Sequence, residues 1–491
     1  MILPVMDPSD ADFVYRQLAA RLSSAMATGA LGPGERLPSV RVLAAREKVS
    51  VATAVAAYRH LENQRLVEAR PKSGFYVRPR PLRLREPVTG QSGRERPAPV
   101  GVNRLVMEIL EASHDPGVVA LAAACPSPDL FPAARLQRML AARARRRPES
   151  LSSYQMVAGA PTLQHQIARR AFDCGCDLDP DALVITNGCM EALNLALRAV
   201  TKPGDVVALE SPTYFGILQI VESLGLKALE LPTNPRTGLS LEALELATRK
   251  AGTVAALVVM PNFSNPLGSL MPDASKKRMV TLMAERGIPV VEDDIYGDLH
   301  FDERRPKPAK AFDRNGGVML LSSFTKTVAP GLRVGWIAPG RWQPQVSMLK
   351  LINTVSTATL GQEVIAEFLA TGGYDRHLRS LRSAFRDQVA RMSEAIGRHF
   401  PPDTRVTRPR GGFVLWVELP APVDAQQLFQ RATERGVSLA PGVIFSPSGR
   451  YSHHLRVSCG YPWSERIEGA VRMVGELVHR LKDGSRSAPE I

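Results

Sequence analysis

Five short apolar runs between positions 183 and 323 constrain this chain more than any other feature. They are LVIT (183–186), VVALE (206–210), AALVVM (255–260), PVVED (289–293) and VMLLSS (318–323). Each has the length of a strand rather than a helix, and helical segments separate them. Strands that read as continuous apolar runs are covered on both faces. The pattern therefore predicts an α/β unit built on a mostly parallel sheet. Ligands of such sheets bind beyond the carboxyl ends of the strands. Residues that directly follow these runs are the first candidates for function.

The chain has 491 residues, which predicts two or three domains rather than one core. Residues 12–77 form a first unit. Phe13, Val14, Leu18, Leu22 and Met26 are spaced for one helix, and Gly29, Gly32, Pro33 and Gly34 end it. Ser39 is placed to cap a second helix running through Arg46, and Ser50 a third running to Gln64. LVEARPKSGFYV reads as two strands around a Lys-Ser-Gly turn. Three helices and a hairpin make an α+β winged helix-turn-helix. Residues 78–103, rich in Pro, Arg and Gly, read as a mobile linker. Residues 104–482 hold the α/β unit, with a smaller α+β subdomain from about residue 370. Residues 483–491 are expected to be a disordered tail.

The formal net charge is +14. Residues 1–100 carry 16 Lys and Arg against 9 Asp and Glu, so half of the excess sits in about a fifth of the chain. That favours a polyanionic partner for the first unit. The five cysteines, Cys125, Cys174, Cys176, Cys189 and Cys459, show no disulfide framework spacing and suit a reducing compartment. Cys174-Gly-Cys176 has no second pair or histidine cluster and reads as structural. The first residues lack the basic start and apolar core of a signal peptide. No apolar run approaches the roughly 20 residues of a membrane helix. A cytoplasmic location is expected.

The residues after the strands carry the chemistry. ITNGCMEAL places Gly188, Cys189 and Met190 at a helix start, where free backbone N–H groups attract a phosphate. PNFSNPLG carries Asn265, VEDDIYGD carries Asp293 and Tyr296, and SSFTKTVAPGLRVGW carries Lys326 and Arg333. Any one of these motifs is common. Together, in this order, they resemble the fold-type I aminotransferases that depend on pyridoxal phosphate (PLP), over residues 104–482. The resemblance implies that Lys326 holds the PLP aldehyde as a Schiff base and that Asp293 faces the ring nitrogen. It implies Tyr296 and Asn265 as partners of the ring hydroxyl, and Tyr214 as the aromatic that stacks on the ring. Arg333, Ser323 and the helix start at 188–190 would hold the phosphate. Tyr154 matches a tyrosine that reaches the phosphate of the partner subunit, which implies a homodimer. Arg456, in HHLRVSCGY, matches an arginine that grips a substrate α-carboxylate in a bidentate fork. The neighbouring His453 and His454 read as bystanders.

The segment from Pro33 to Val77, PGERLPS at its start and SGFYV at its end, resembles the winged helix of GntR-type regulators. A winged helix of that kind ahead of an aminotransferase-like body resembles the MocR-type regulators, a GntR subfamily. Val51 to Leu61 is then the recognition helix. Ser39, Arg41, Ser50 and Thr53 are the expected DNA-facing side chains, with Arg36, Lys72 and Ser73 on or near the wing for phosphate or minor-groove contact. One departure stands out. Family members commonly carry an arginine where this chain has Val51, and Ala52 and Ala54 follow. Specificity would then rest on Arg41, on thymine-methyl contacts from Val51 and Ala52, and on DNA shape.

These readings imply a PLP-dependent, DNA-binding transcription regulator that senses an amino acid or amine as an external aldimine. Two alternatives stay open on the sequence: a working aminotransferase with an accessory DNA-binding domain, and a sensor of PLP itself. Position 216, where family members that sense γ-aminobutyrate resemble one another in carrying an arginine, is glycine. That argues against a γ-amino acid as the ligand.

Overall fold

The computed structural model describes residues 11–70, 73–78, 84–87, 97–112, 115 and 117–486. They belong to two compact units, residues 1–83 and 84–491.

The first unit contains α1 (Ala11–Ala27), α2 (Val40–Glu47), α3 (Val51–Asn63), β1 (Val67–Arg70) and β2 (Gly74–Val77). The two serines set the helix starts. Ser39 Oγ accepts from Val42 N at 3.3 Å, and Ser50 Oγ accepts from Thr53 N at 3.0 Å. Each bond satisfies an amide that a helix N-terminus leaves open. Leu18, Leu22 and Met26 of α1 pack with Leu43, Ala54, Ala57, Tyr58, Leu61, Val67 and Val77 in one core. Tyr58 OH donates to Pro38 O at 2.6 Å and ties α3 to the chain entering α2. The hairpin also has a third rung. Leu37 N donates to Phe75 O at 2.8 Å and Val77 N to Glu35 O at 2.9 Å, so the segment before α2 pairs with β2. Its Gly and Pro content concealed this.

The second unit opens with α4 (Asn103–Ala112) and is built on an eight-stranded sheet. Its strands include β3 (Val184–Thr186), β4 (Val206–Ser211), β5 (Lys227–Asn234), β6 (Ala256–Val259), β7 (Val290–Asp293), β8 (Val318–Ser323) and β9 (Gly335–Ala338). All five apolar runs are strands. The order is β3-β9-β8-β7-β6-β4-β5, with a two-residue strand at Gly238–Leu239 on the far edge. Strands β8, β7, β6, β4 and β5 pair in parallel. Strand β9 runs against both β3 and β8. Both faces are covered, as the continuous apolar runs require. Val207, Leu209, Val258, Val291 and Met319 enter one hydrophobic cluster, and Ala208, Leu257, Val259, Val290 and Val318 enter a second. Neighbours along each strand thus face opposite sides.

Helices α5 (Cys189–Val200) and α6 (Phe215–Ser223) follow β3 and β4, and α7 (Gln343–Thr354) follows β9. Beyond them lie the 27-residue helix α8 (Gly373–His399) and a four-stranded antiparallel sheet. That sheet contains β10 (Val414–Glu418) and β11 (His454–Ser458), with Trp416 opposite Arg456. The last helix, α9, covers Glu465–Arg486. It carries the chain past the expected start of the tail at 483, because Leu477, Val478 and Leu481 bury against the body. Residues 487–491 lie outside the described residues.

The segment expected to be a mobile linker is in part laid on the body. Val406 N donates to Arg85 O at 2.8 Å, Glu86 pairs with Arg236, and Ala98 exchanges two 2.9 Å bonds with Ala228 of β5. Backbone pairing of this kind leaves no trace in composition, which is what suggested mobility. Among the described residues no helix is long and apolar enough to cross a membrane.

Candidate functional site

The carboxyl ends of the parallel strands open into a pocket of about 450 Å³. It is lined by Cys189 and Met190 at the start of α5, Tyr214 and Phe215 after β4, Asn265 after β6, Asp293 and Tyr296 after β7, and Thr325, Lys326 and Arg333 after β8. Arg456 on β11 and Ile444 complete it from the smaller subdomain, and Val106 and Ile109 of α4 from the other side. Residues far apart in sequence meet because each parallel strand ends at the same edge.

Lys326 Nζ donates to Ala124 O at 2.8 Å and lies 3.7 Å from Cys125 Sγ. Burial lowers its pKa, with the Arg456 charge adding to the effect, so more of it is the neutral, nucleophilic amine. Asp293 ends β7 and is buried. Its Oδ1 accepts from Ile295 N at 3.1 Å and from Cys189 Sγ at 3.4 Å. Burial pushes its pKa up to about 6. Nearby Glu210, held by Met260 N at 2.7 Å, is pushed to about 7 by burial. Both acids hold their protons more tightly in the folded chain than in the unfolded one. Between about pH 4 and pH 7 the unfolded chain ionises these two acids first, so their share of the stability falls as pH rises through that window, against the opposite trend of buried His454, whose pKa burial lowers to about 4. Thermal melts of the cofactor-free protein and of its Glu210→Gln variant at about pH 4.5 to 8, in steps of about half a unit, isolate the Glu210 share: the variant should gain on the parent as pH rises.

Arg333 adopts a left-handed conformation, φ 54°, that turns its guanidinium back over the start of α5. Its Nη2 donates to Asn187 O at 3.2 Å and its Nη1 to Thr325 Oγ1 at 3.5 Å. Gly188, at φ 88°, caps α5, and a Cβ there would run into the guanidinium. The result is a cradle of arginine, threonine hydroxyl and open helix N-terminus. Arg456 is 1% exposed. Its Nη1 donates to Asn265 Oδ1 at 3.2 Å and its Nη2 to Ala122 O, while Nε has no partner. Asn265 Nδ2 lies 3.5 Å from Tyr296 OH. Burial raises the Tyr214 hydroxyl to about 12 and drives Tyr296 higher still.

Three expected residues do not line the pocket: Gly188, which caps α5 behind the Arg333 guanidinium, Ser323 and Tyr154. Ser323 is 4% exposed and turned into the fold, donating to Val334 O at 3.0 Å and sharing a 2.6 Å bond with Thr325 Oγ1. The hydroxyl that lines the pocket is that of Thr325, two residues on, because the chain leaves β8 at Ser323. Tyr154 is 89% exposed and is not part of the pocket lining of its own chain. His453 Nδ1 donates to Val423 O at 2.9 Å, and His454 stacks on Trp416 at 5.3 Å, so both belong to packing. Sequence reasoning missed Thr325, Phe215, Cys125, Ile444 and the α4 pair. Only Thr325 left a signal, the cluster of hydroxyls before Lys326.

In the first unit, Arg36 and Arg41 are exposed. Ser39 and Ser50 serve as caps, and Thr53 Oγ1 bonds Ser50 Oγ at 2.8 Å. Ser73 Oγ bonds Tyr76 OH at 2.6 Å, and Arg70 stacks on the Tyr76 ring at 4.2 Å. Lys72 lies outside the described residues. Val42 and Val51, 57% and 53% exposed, present apolar surface at the starts of α2 and α3. Val42 was not foreseen.

Residues 14–77 match the model of the gntR family of bacterial regulatory proteins, and residues 126–472 match aminotransferase class I and II. The HTH-type transcriptional regulator YjiR of Escherichia coli K12 is 38% identical over 473 residues, covering 96% of this chain and 99% of its own. YdcR of the same organism, also an HTH-type transcriptional regulator, is 39% identical over 94% of this chain and 98% of its own. The chain belongs to the MocR-type regulators of the GntR superfamily. The body of this MocR-type regulator is similar to the α-aminoadipate aminotransferase LysN of Thermus thermophilus, solved with N-(5'-phosphopyridoxyl)-L-leucine. The two share 31% identity at a TM-score of 0.71, over 77% of this chain and 95% of that one.

The cofactor that this family and these neighbours imply is PLP. The residues present fit it. Lys326 offers an amine of lowered basicity, and Asp293 is a buried acid that a protonated ring nitrogen would match. The Gly188–Arg333 cradle is shaped and charged for a phosphate. The unpartnered Nε of Arg456 calls for an acceptor.

Proposed function

We propose that this MocR-type regulator holds PLP at Lys326, reads an amino acid or amine there, and changes its grip on operator DNA in response. One observation carries this reading: Lys326, Asp293, Arg333 and Arg456 converge on a single pocket in a chain headed by a winged helix. When bound, the cofactor supplies an aldehyde that condenses reversibly with primary amines and a ring that draws electrons from them. Lys326 would hold that aldehyde, and its lowered basicity would let an effector amine compete for it. Asp293 keeps a proton at the ring nitrogen, Tyr296 and Asn265 hold the ring hydroxyl, and Tyr214 covers the ring face. Arg333, Thr325 and the amides at 188–190 anchor the phosphate, with Ser323 bracing Thr325. Arg456 receives the effector carboxylate in a two-pronged contact. In this reading the winged helix takes residues 12–77 and the PLP-binding body residues 104–482, and the division between the two compact units, at 83/84, falls inside the segment 78–103 that connects them.

The protein acts on DNA as a homodimer in this reading. Leu151, Tyr154 and Met156 expose 66%, 89% and 75% of their surface, and Ile352 exposes 68%. Their segments flank the edge strand β3, where Ile185 N donates to Ala158 O and Thr357 Oγ1 donates to Ile185 O. A second copy seated there would cover this apolar surface and receive Tyr154. In the head, Arg41, Ser39, Ser50 and Thr53 face the major groove, and Arg36, Lys72 and Ser73 the backbone or minor groove. Val42 and Val51 suit thymine methyl groups.

The deciding experiment follows absorbance of the PLP-loaded protein during titration with amino acids, without a keto acid, alongside operator binding at fixed salt. A spectral shift that saturates without forming pyridoxamine, together with altered DNA affinity, supports the sensor. Conversion to pyridoxamine would favour the enzyme reading, which the intact set of Lys326, Asp293 and Arg456 also serves.

A further inference from the structure

Cys125 sits in the irregular segment before Pro126 and brings a thiol to the reactive amine. Its Sγ is 3.7 Å from Lys326 Nζ, which also donates to Ala124 O at 2.8 Å. The backbone that carries the thiol is held in place. Cys125 N donates to Ala123 O at 2.8 Å, Ser127 N donates to Gly460 O at 2.9 Å, and Gly460 packs so closely on Cys125 O that a Cβ there would not fit. The lysine has a flexible stem, and a small movement of it brings the two atoms to the roughly 3–3.5 Å of a reacting pair. Of the five cysteines, Cys125 is the exposed one; Cys174 is half-buried, and Cys176, Cys189 and Cys459 are buried. Burial pushes the thiols of those four up, Cys176 to about 12, which keeps them protonated and unreactive. Cys125 also lines the pocket that, in the preceding reading, admits a cofactor and an amino acid, so a small peroxide reaches it by the same opening. Thiol and amine belong to one chain, and their pairing does not require a second copy.

We infer that peroxide joins Cys125 to Lys326 in a covalent sulfenamide and so withdraws the amine from the cofactor, a consequence that rests on the preceding reading of Lys326. The Cys125 thiolate attacks one peroxide oxygen, the O–O bond breaks, and the products are the sulfenic acid and a hydroxide that the thiol proton converts to water. Sulfur loses two electrons and the peroxide gains them. The neutral Lys326 amine then attacks the sulfenic sulfur. An S–N bond forms, the S–O bond breaks, and the departing hydroxide leaves as water with one amine proton. Thiol, amine and hydrogen peroxide thus give a sulfenamide and two waters. The common intramolecular trap is closed in this chain. A sulfenic acid can condense with a backbone nitrogen, but the nitrogen that follows Cys125 belongs to Pro126 and carries no hydrogen. Disulfide formation is opposed as well, because Cys189, the other thiol lining the pocket, is buried and bonded to Asp293 Oδ1 at 3.4 Å. Lys326 is left as the nucleophile within reach. Two molecules of an external thiol reverse the link, releasing thiol and amine and leaving as a disulfide.

The test starts from full-length, cofactor-free protein treated with hydrogen peroxide, digested without reductant and read by mass spectrometry. The expected product joins the tryptic peptides 105–135 and 315–333, lighter than their sum by about 2 Da, the mass of two hydrogens, and dithiothreitol releases both. Borohydride labelling of Lys326 by PLP should fall about tenfold or more in the oxidised protein and return after dithiothreitol. Protein loaded with PLP beforehand should not form the link. Cys125→Ser should take up PLP to the same extent before and after peroxide. An unlinked sulfinic acid at Cys125, a disulfide to Cys189, or a linked pair that retains a peroxide oxygen overturns the inference. So does a link that forms equally in PLP-loaded protein, or one that leaves labelling of Lys326 unchanged. If the serine variant does not fold, protection by PLP and release by dithiothreitol decide. Absence of label on Lys326 in untreated, PLP-loaded protein overturns the site reading itself, a separate result, because the link is read by mass in protein without cofactor.

Discussion

Lys326→Ala is expected to lose covalent cofactor completely. Borohydride treatment of the PLP-loaded variant should leave no label on any peptide of the 450 Å³ pocket, because no other amine lines it among the described residues. Its absorbance should be that of the free aldehyde, and the response to added amino acids should lose the step in which Lys326 is displaced. The fold itself should survive. Lys326 Nζ is held by one carbonyl, Ala124 O, and by a thiol, and burial works against its charge. Removing an ammonium so weakly supported costs little, and the melting temperature of the cofactor-free variant should equal or exceed that of the parent. A covalent adduct that persists in the variant would show that another amine carries the cofactor.

Arg456→Met should separate ligand recognition from folding. Arg456 is 1% exposed, gives its two terminal nitrogens to Asn265 Oδ1 and Ala122 O, and leaves Nε without a partner. A guanidinium in that state is poised for a carboxylate and is poorly compensated without one. Methionine fills similar space between Phe215 and Phe445 without the buried charge. The cofactor-free variant should therefore be as stable as the parent or more so. Effector binding should weaken by about 2–5 kcal/mol, on the order of 30-fold to several thousand-fold. Arg456→Lys should not restore it, since an ammonium cannot reproduce the planar fork. Unchanged half-saturation in Arg456→Met would remove Arg456 from the ligand site.

The two variants probe parts of the site that were unequally visible beforehand. Asp293 ends an apolar run and Lys326, Asn265 and Arg333 follow one, and a parallel sheet brings such positions to one edge whatever lies between them. The winged helix was equally open to reading, because Ser39 and Ser50 announce helix starts by their own capping chemistry. Side chains that enter the pocket through packing were hidden. Ile109 sits on a helix whose docking the local pattern does not encode. Phe215 and Ile444 look like any core residue until the fold brings them to the same pocket as Arg456. Ser323 and Thr325 are both hydroxyls beside a lysine, and only the exit of the chain from β8 decides which one lines the pocket. The Arg85 and Ala98 bridges were hidden for the same reason. Backbone pairing depends on an edge being free, not on the composition of the strand that takes it.

The amino-acid sequence by itself determined the architecture of this regulator and marked Lys326, Asp293, Asn265, Arg333 and Arg456, which the fold brings to one pocket. Apolar periodicity, helix caps and the short motifs after strands are local properties that survive without knowledge of distant partners. The tertiary structure alone decided which side chains share the pocket. Residues from opposite ends of the body meet in one cavity only when the strands that carry them are paired. The pairing of Arg456 with Ala122 and Asn265, and the ring of Tyr214 over Gly216, exist only after the strands have come together.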